Sequence, residues 1–179
     1  MVKYRGQTSP IRQYIKEKPH PWGFKVCGRS GDTSILYDFH VYQGGNGKRS
    51  ELGQGADVVL NLTSTLEQNK GYKNYADILF TSVPLLIKLS EKGMFYTGLL
   101  RNNRLSGARL LDEKALKKIG RGKIDHQIKT THNIAMVKWY DNRAVTLLSS
   151  NVSVEPVAEA NRWNKAKKHR SFQCQYQQL

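Results

Sequence analysis

A carboxylate, Asp77, stands at the join between a strand-like run and a capped helix in the stretch GYKNYADILFTSVPLLIKLSEKGMFYTGLLRNNR, Gly71 to Arg104. In open α/β sheets ligands gather outside the carboxyl ends of the strands. A side chain at that junction therefore faces solvent and the first-turn amides of the next helix. Four cations are the other candidates. Arg101 and Arg104 follow the next strand, and Lys117 and Lys118 lie further along a basic segment. Arginine and lysine in such places suit phosphate oxygens, contacts that position a nucleic acid without specifying its sequence.

The charge of the whole chain supports that reading. Its 179 residues hold 29 Lys and Arg against 14 Asp and Glu, a formal net charge of +15. Residues 1–31 hold seven Lys and Arg against one Glu, residues 92–129 hold ten against three acids, and residues 160–179 hold five against none. What remains is slightly acidic, so a near-neutral core carries three basic margins. DNA is the expected partner, because neutralising phosphates with release of counterions supplies most non-specific affinity for nucleic acid.

Other chemistries lack their residues. Cys27 and Cys174 stand far apart without CxxC spacing, which indicates neither a disulfide framework nor a zinc site. The glycine-rich run QGGNGKRSELGQG, Gln43 to Gly55, fails as a GxxxxGK[ST] phosphate loop: Tyr42 stands where the first glycine belongs, and Arg49 follows Lys48. His40 alternates with apolar neighbours and reads as a strand surface residue. No run approaches the ~18 apolar residues of a membrane helix, and the N-terminus has no apolar signal stretch, so no membrane partner and an intracellular, reducing setting are expected.

The elements that must position these groups follow from periodicity. Pro19 and Pro21 hold the end of the basic lead-in extended. Trp22 to Cys27 and Ile35 to Tyr42 predict an antiparallel hairpin, with Ile35, Tyr37, Phe39 and Val41 on a buried face. A helix is expected over Ala56 to Glu67, with Val58, Val59, Leu62 and Leu66 on one side. Tyr72 and Tyr75 mark a short strand before Asp77. Thr81 and Ser82 can cap the next helix, Pro84 suits its first turn, Leu85, Leu86 and Leu89 form its apolar stripe, and Gly93 ends it. A strand over Met94 to Leu100 follows. Residues 101–130 read as a basic, helix-poor insertion apart from a short helix over Asp112 to Ile119. Ile134 to Trp139 and Ala144 to Ser149 predict a second hairpin with Asp141 in its turn. One domain over residues 1–155 and a basic, poorly structured tail over 156–179 are expected.

Strand, strand, helix, strand with Asp77, helix, strand is an order compatible with a ribonuclease-H-like core. Several segments carry a more specific resemblance. KYRGQTSPIRQYIKEKPHPWGFKV is similar to a basic lead-in with a KPxKWGxK strand, and YDFHVYQGG to DFEVYTGK. LGQGADVVLNL is similar to a glycine-led helix. ADILFTSVPLL resembles DNxFTSxxLL, and TGLLRNNR resembles TGTxRxNR. MVKWYDNRAVTLLSS with EPVAEANRWNKAKK resembles VKWxDxxxVxxLSS and its basic sequel. These are segments of piggyBac-type transposase domains, and the resemblance covers roughly residues 2–170.

The resemblance implies an α/β, partial ribonuclease-H-like fold with a basic inserted segment. The implied activity is cut-and-paste DNA transposition, in which three aspartates hold two divalent ions, Mg²⁺ by expectation, to clamp the attacking and leaving oxygens. Asp77 matches the second aspartate. The first, in a DE motif, is expected before the segment resembling Met1 to Gly6, and the third, in a GGVD motif, beyond that resembling Cys174 to Tyr176. Ile78 replaces the asparagine that follows the second aspartate. The family gives Asp38 and Asp141 no metal role. A DNA-binding, catalytically inactive derivative without a cofactor of its own is therefore expected. The alternatives are part of an active enzyme whose other aspartates lie elsewhere, and a decayed remnant. Nuclear localisation, aided by KAKKHR, and a homodimer are implied in the same way.

Overall fold

The computed structural model describes residues 1–44, 50–152, 154, 157–164 and 169–177. Residues 45–49 of the glycine-rich run and 165–168 of KAKKHR lie outside the described residues. The chain divides into two compact units, Met1–Leu66 and Glu67–Leu179.

In the first unit, β1 (Val2–Lys3), β2 (Gln13–Tyr14) and β3 (Trp22–Phe24) form an antiparallel sheet in the order β1-β3-β2. The chain then changes partner. β4 (Val26–Ser30) pairs with β5 (Leu36–Val41) in a separate two-stranded sheet, so the single strand expected over Trp22 to Cys27 is split. The cause is the basic lead-in, which supplies two short strands that flank Trp22–Phe24. Helix α1 spans Gln54–Leu62 and stops before Glu67. The hydroxyl of Thr63 donates to Val59 O at 2.8 Å and that of Ser64 to Asn61 O at 2.7 Å, side-chain bonds that compete with further helical turns.

The expected buried face of β5 is open instead. Ile35, Tyr37 and Phe39 are 57, 63 and 58% exposed. The two-stranded sheet has one helix to cover it, and α1 packs on the side opposite Phe39, where Cys27 is buried and Arg29 donates to the Thr65 hydroxyl at 3.0 Å. Alternation across the whole strand fails at Tyr37, where the register shifts: Arg29 pairs with Asp38 but Ser30 with Leu36, so Leu36 and not Ile35 shares the face of Phe39.

The second unit is built on a mixed five-stranded sheet. Its strands are β6 (Lys73–Ala76), β7 (Phe95–Leu100), β8 (Ile124–Lys129), β9 (Ile134–Tyr140) and β10 (Ala144–Ser149), in the order β6-β7-β10-β9-β8. Only β6 and β7 are parallel; the other pairs are antiparallel. Helix α2 (Val83–Glu91) is the crossover between the parallel strands. The hydroxyl of its N-cap, Ser82, accepts from Leu85 N, and Pro84 occupies the first turn. At its other end Gly93 adopts φ 67°, where a side chain would be strained. Leu85, Leu86 and Leu89 are fully buried, and the helix packs on β7, whose Tyr96 and Leu100 share a face with Met136 and Leu148.

The region expected to be an insertion is more regular than its composition suggested. Helix α3 (Glu113–Ile119) is capped by Asp112, which accepts from Ala115 N at 2.6 Å, and Leu116 is fully buried. β8 extends the sheet at its edge. Its sequence, IDHQIK, has too few apolar residues to announce a strand, and pairing with β9 decides its conformation. Over the stretch expected to be a basic, poorly structured tail, the described residues β11 (Val157–Asn164) and β12 (His169–Gln177) pair antiparallel.

Because the Leu89 side chain has no solvent access, Leu89→Ala should destabilise the protein by about 2–5 kcal/mol in chemical denaturation. A loss below about 1 kcal/mol would contradict the placement of the leucine stripe in the core.

Candidate functional site

β6 ends at Ala76, and the next residue, Asp77, begins the turn into α2. Its side chain is exposed, and among the described residues it has no ion-pair partner. Oδ1 accepts from the amide of Ile78 at 2.7 Å, which fixes one oxygen against its own turn. The Asp77 carbonyl accepts from Phe80 N at 3.0 Å and from the Thr81 hydroxyl at 3.1 Å.

Thr81 links the turn to the sheet. Its Oγ1 lies 3.0 Å from the Tyr96 hydroxyl. A threonine has one hydroxyl proton, and here it goes to the Asp77 carbonyl, so Tyr96 is the donor in that pair. The contact requires a glycine below it. A Cβ on Gly98 would lie 2.4 Å from Thr81 Oγ1 and 2.8 Å from Ala76 O. Burial raises the pKa of the Tyr96 hydroxyl above its ordinary value, and Thr81, by turning its own proton to the phenolic oxygen once that ionises, opposes the shift.

Arg104 completes the turn. It ends a single turn of 3₁₀ helix, Asn102–Arg104, that follows β7. Its Nη1 donates to Thr81 O at 3.0 Å and, at 3.4 Å, to Leu79 O. The residue expected at a phosphate therefore has one guanidinium nitrogen holding the backbone beside Asp77. Arg101 is exposed at the start of the same turn. Lys117 and Lys118 are exposed in the last turn of α3, on a different element from Asp77.

The structure thus brings Asp77 and Arg104 to one turn and leaves the two lysines apart from it. Asp141 sits in the β9–β10 turn as expected and forms an ion pair with Arg121. Sequence reasoning missed Tyr96 and Gly98, since an aromatic and a glycine inside a strand carry no signal of contact with a distant turn. It had Thr81 as a cap candidate, but Ser82 takes that role.

A divalent-ion site can be tested on the donor set. Mg²⁺ seeks near-octahedral oxygen ligands, and a two-metal centre needs carboxylates that bridge or flank ions about 3.5–4 Å apart. Among the described residues no group of three His, Cys, Asp or Glu side chains is close enough to hold an ion. Asp77 by itself does not fit a two-metal centre.

Two outcomes test the turn. Arg104→Gln should speed hydrogen exchange of the amides around Phe80 about tenfold, since bonds from a charged donor are worth roughly 1.5–3 kcal/mol; unchanged exchange would show that the guanidinium does not hold the loop. Tyr96→Phe should cost about 1 kcal/mol near neutral pH. A raised folded-state pKa gives stability that is complete below the unfolded value, about 10, and is lost as the pH rises towards the folded one. The deficit of Tyr96→Phe should accordingly narrow above about pH 10, read by urea denaturation at neutral and alkaline pH; a constant deficit would remove the role of Tyr96 burial.

Comparison with known proteins agrees with this architecture. Residues 1–178 match the family described as Transposase IS4. The chain is 35% identical over 170 residues to the human PiggyBac transposable element-derived protein 3, covering 92% of this chain and 28% of that protein. It is 31% identical over 177 residues to the human PiggyBac transposable element-derived protein 2, covering 96% and 29%. The chain therefore spans less than a third of the length of these relatives. A cryo-EM structure of the piggyBac transposase synaptic complex with hairpin DNA superposes with a TM-score of 0.69 at 22% identity, over 91% of this chain and 33% of that one. The shared fold is the α/β, ribonuclease-H-like type expected from the order of elements. On these grounds the chain belongs to the piggyBac-type transposase family.

Proposed function

We propose that this chain is a transposon-derived DNA-binding module that holds DNA through phosphate contacts and does not cut it by itself. The observation that carries the reading is the basic segment 92–129, with ten Lys and Arg against three acids, which includes exposed Arg101, Lys117 and Lys118. The fold supports it by likeness, since the solved neighbour is a transposase complex with DNA. Arg104 contributes through the Asp77 turn, where its Nη1 is already engaged. Among the described residues Asp77 has no cluster of carboxylates with which to share a metal ion, and that supports binding without cleavage. A nuclear location follows from a DNA-binding role, and imaging of a tagged chain that finds it excluded from nuclei would remove that part of the proposal.

A second reading rests on the short span of the chain along its relatives. A longer product bearing further carboxylates would cut DNA with Mg²⁺, and Asp77→Asn would abolish that cutting. Nicking assays on the product of the full transcript separate the two readings. A decayed remnant would lack a cooperative thermal transition, which the proposed module must show.

Binding of labelled duplex DNA, followed by anisotropy, should weaken steeply with salt. Six to ten phosphate contacts would cost about 10³–10⁵ in affinity between roughly 50 and 200 mM. Replacing Lys117 and Lys118 together by Gln should lower the magnitude of the log–log slope by about 2. Affinity that hardly changes with salt would defeat the proposal.

A further inference from the structure

One face of the N-terminal sheet carries Val2, Tyr4, Arg12, Tyr14, Trp22 and Phe24. Val2 pairs with Phe24 and Tyr14 with Trp22, and residues two apart share a face. Tyr4 and Phe24 meet with ring centroids 4.6 Å apart, and Tyr14 and Trp22 at 4.9 Å with a 57° tilt. The guanidinium carbon of Arg12 lies 3.9 Å from the centre of the Trp22 ring, and its Nη1 donates to Gly6 O at 2.9 Å. The indole is thus in contact with a cation, itself tied to the backbone, and with a tyrosine.

The inner pair is half-buried, but Tyr14 and Trp22 remain 54 and 43% exposed. The surrounding charge is mostly positive: residues 1–31 carry seven Lys and Arg against one Glu, Glu17, and Lys16 and Lys18 on either side of it are exposed, with Lys3 and Arg5 exposed on the opposite face. A complementary partner must combine flat apolar surfaces with an anionic backbone. Duplex DNA supplies the charge but keeps its base faces stacked on one another. Unpaired DNA supplies both, and rings on a sheet within a basic field are a recurring way to bind it.

We infer that this face binds single-stranded DNA, with unpaired bases stacked against Tyr14 and Trp22 and phosphates beside Lys16 and Lys18. The inference rests on the proposed DNA-binding role and adds the state of the strand. Arg12 is a positioning residue here, since it fixes the plane of the indole.

The test uses the full chain with a labelled oligo-dT strand and a blunt duplex of equal length, over a range of salt. Tyr14→Ala and Trp22→Ala should each weaken oligo-dT binding about tenfold, while the salt slope and duplex affinity stay as they were. Trp22→Phe should restore most of the loss, because it keeps a ring. Tyr14→Ala serves if Trp22→Ala fails to fold, since Tyr14 is more than half exposed. If Tyr14→Ala leaves oligo-dT binding unchanged while duplex binding stays steep in salt, the stacking face is rejected and the DNA-binding role stands. If the unsubstituted chain binds neither nucleic acid, the role itself falls. Self-association that Tyr14→Ala abolishes without altering oligo-dT binding would assign the face to a second copy and overturn the inference.

Discussion

The second unit depends on the contact between Thr81 and Gly98. The hydroxyl of Thr81 bonds the Asp77 carbonyl and receives the Tyr96 proton, and only a residue without a Cβ leaves room for it on β7. Through this contact the end of β6, the start of α2 and the middle of β7 are fixed together. The leucines of α2 are then buried in the correct register, and the parallel pair is closed. A crossover of this kind has no tight turn to define it, so a few side-chain bonds at the junction must set the geometry that a hairpin obtains from its loop.

Cations of the basic segment sit in two settings. Arg104 has a guanidinium nitrogen in two backbone bonds, whereas Arg101, Lys117 and Lys118 are exposed. A planar, multi-donor head suits the setting of Arg104 because it can reach two carbonyls at once. Sequence position does not separate them, since Arg101 and Arg104 stand three residues apart in the same basic stretch. Geometry does.

What was legible in the sequence follows from where the determining forces act. Helix α2 was readable nearly residue by residue because its cap, proline, leucine stripe and terminal glycine are local signals. The β9–β10 hairpin was readable for the same reason, as apolar strands around a short turn. β8 was missed because its conformation comes from pairing with β9 and not from its own residues. The face of β5 was misassigned because a register shift at Tyr37 interrupts the alternation, and a bulge of this kind is set by pairing with β4 and not by the residues of β5 alone. At the candidate site, Asp77 was visible by its place after a strand. The Tyr96 and Gly98 partners were not, because they meet the turn only once the sheet has formed.

The open face of β5 bears on colloidal behaviour. Ile35, Leu36, Tyr37 and Phe39 give each molecule a group of exposed apolar side chains, and such surfaces attract one another in water. A net charge of +15 opposes that approach by mutual repulsion between copies. The repulsion acts over the Debye length, about 10 Å at 0.1 M salt, and shortens as ions are added. The cation excess that suits a polyanion is therefore also what keeps these molecules apart, and bound DNA would exchange one source of repulsion for another of opposite sign.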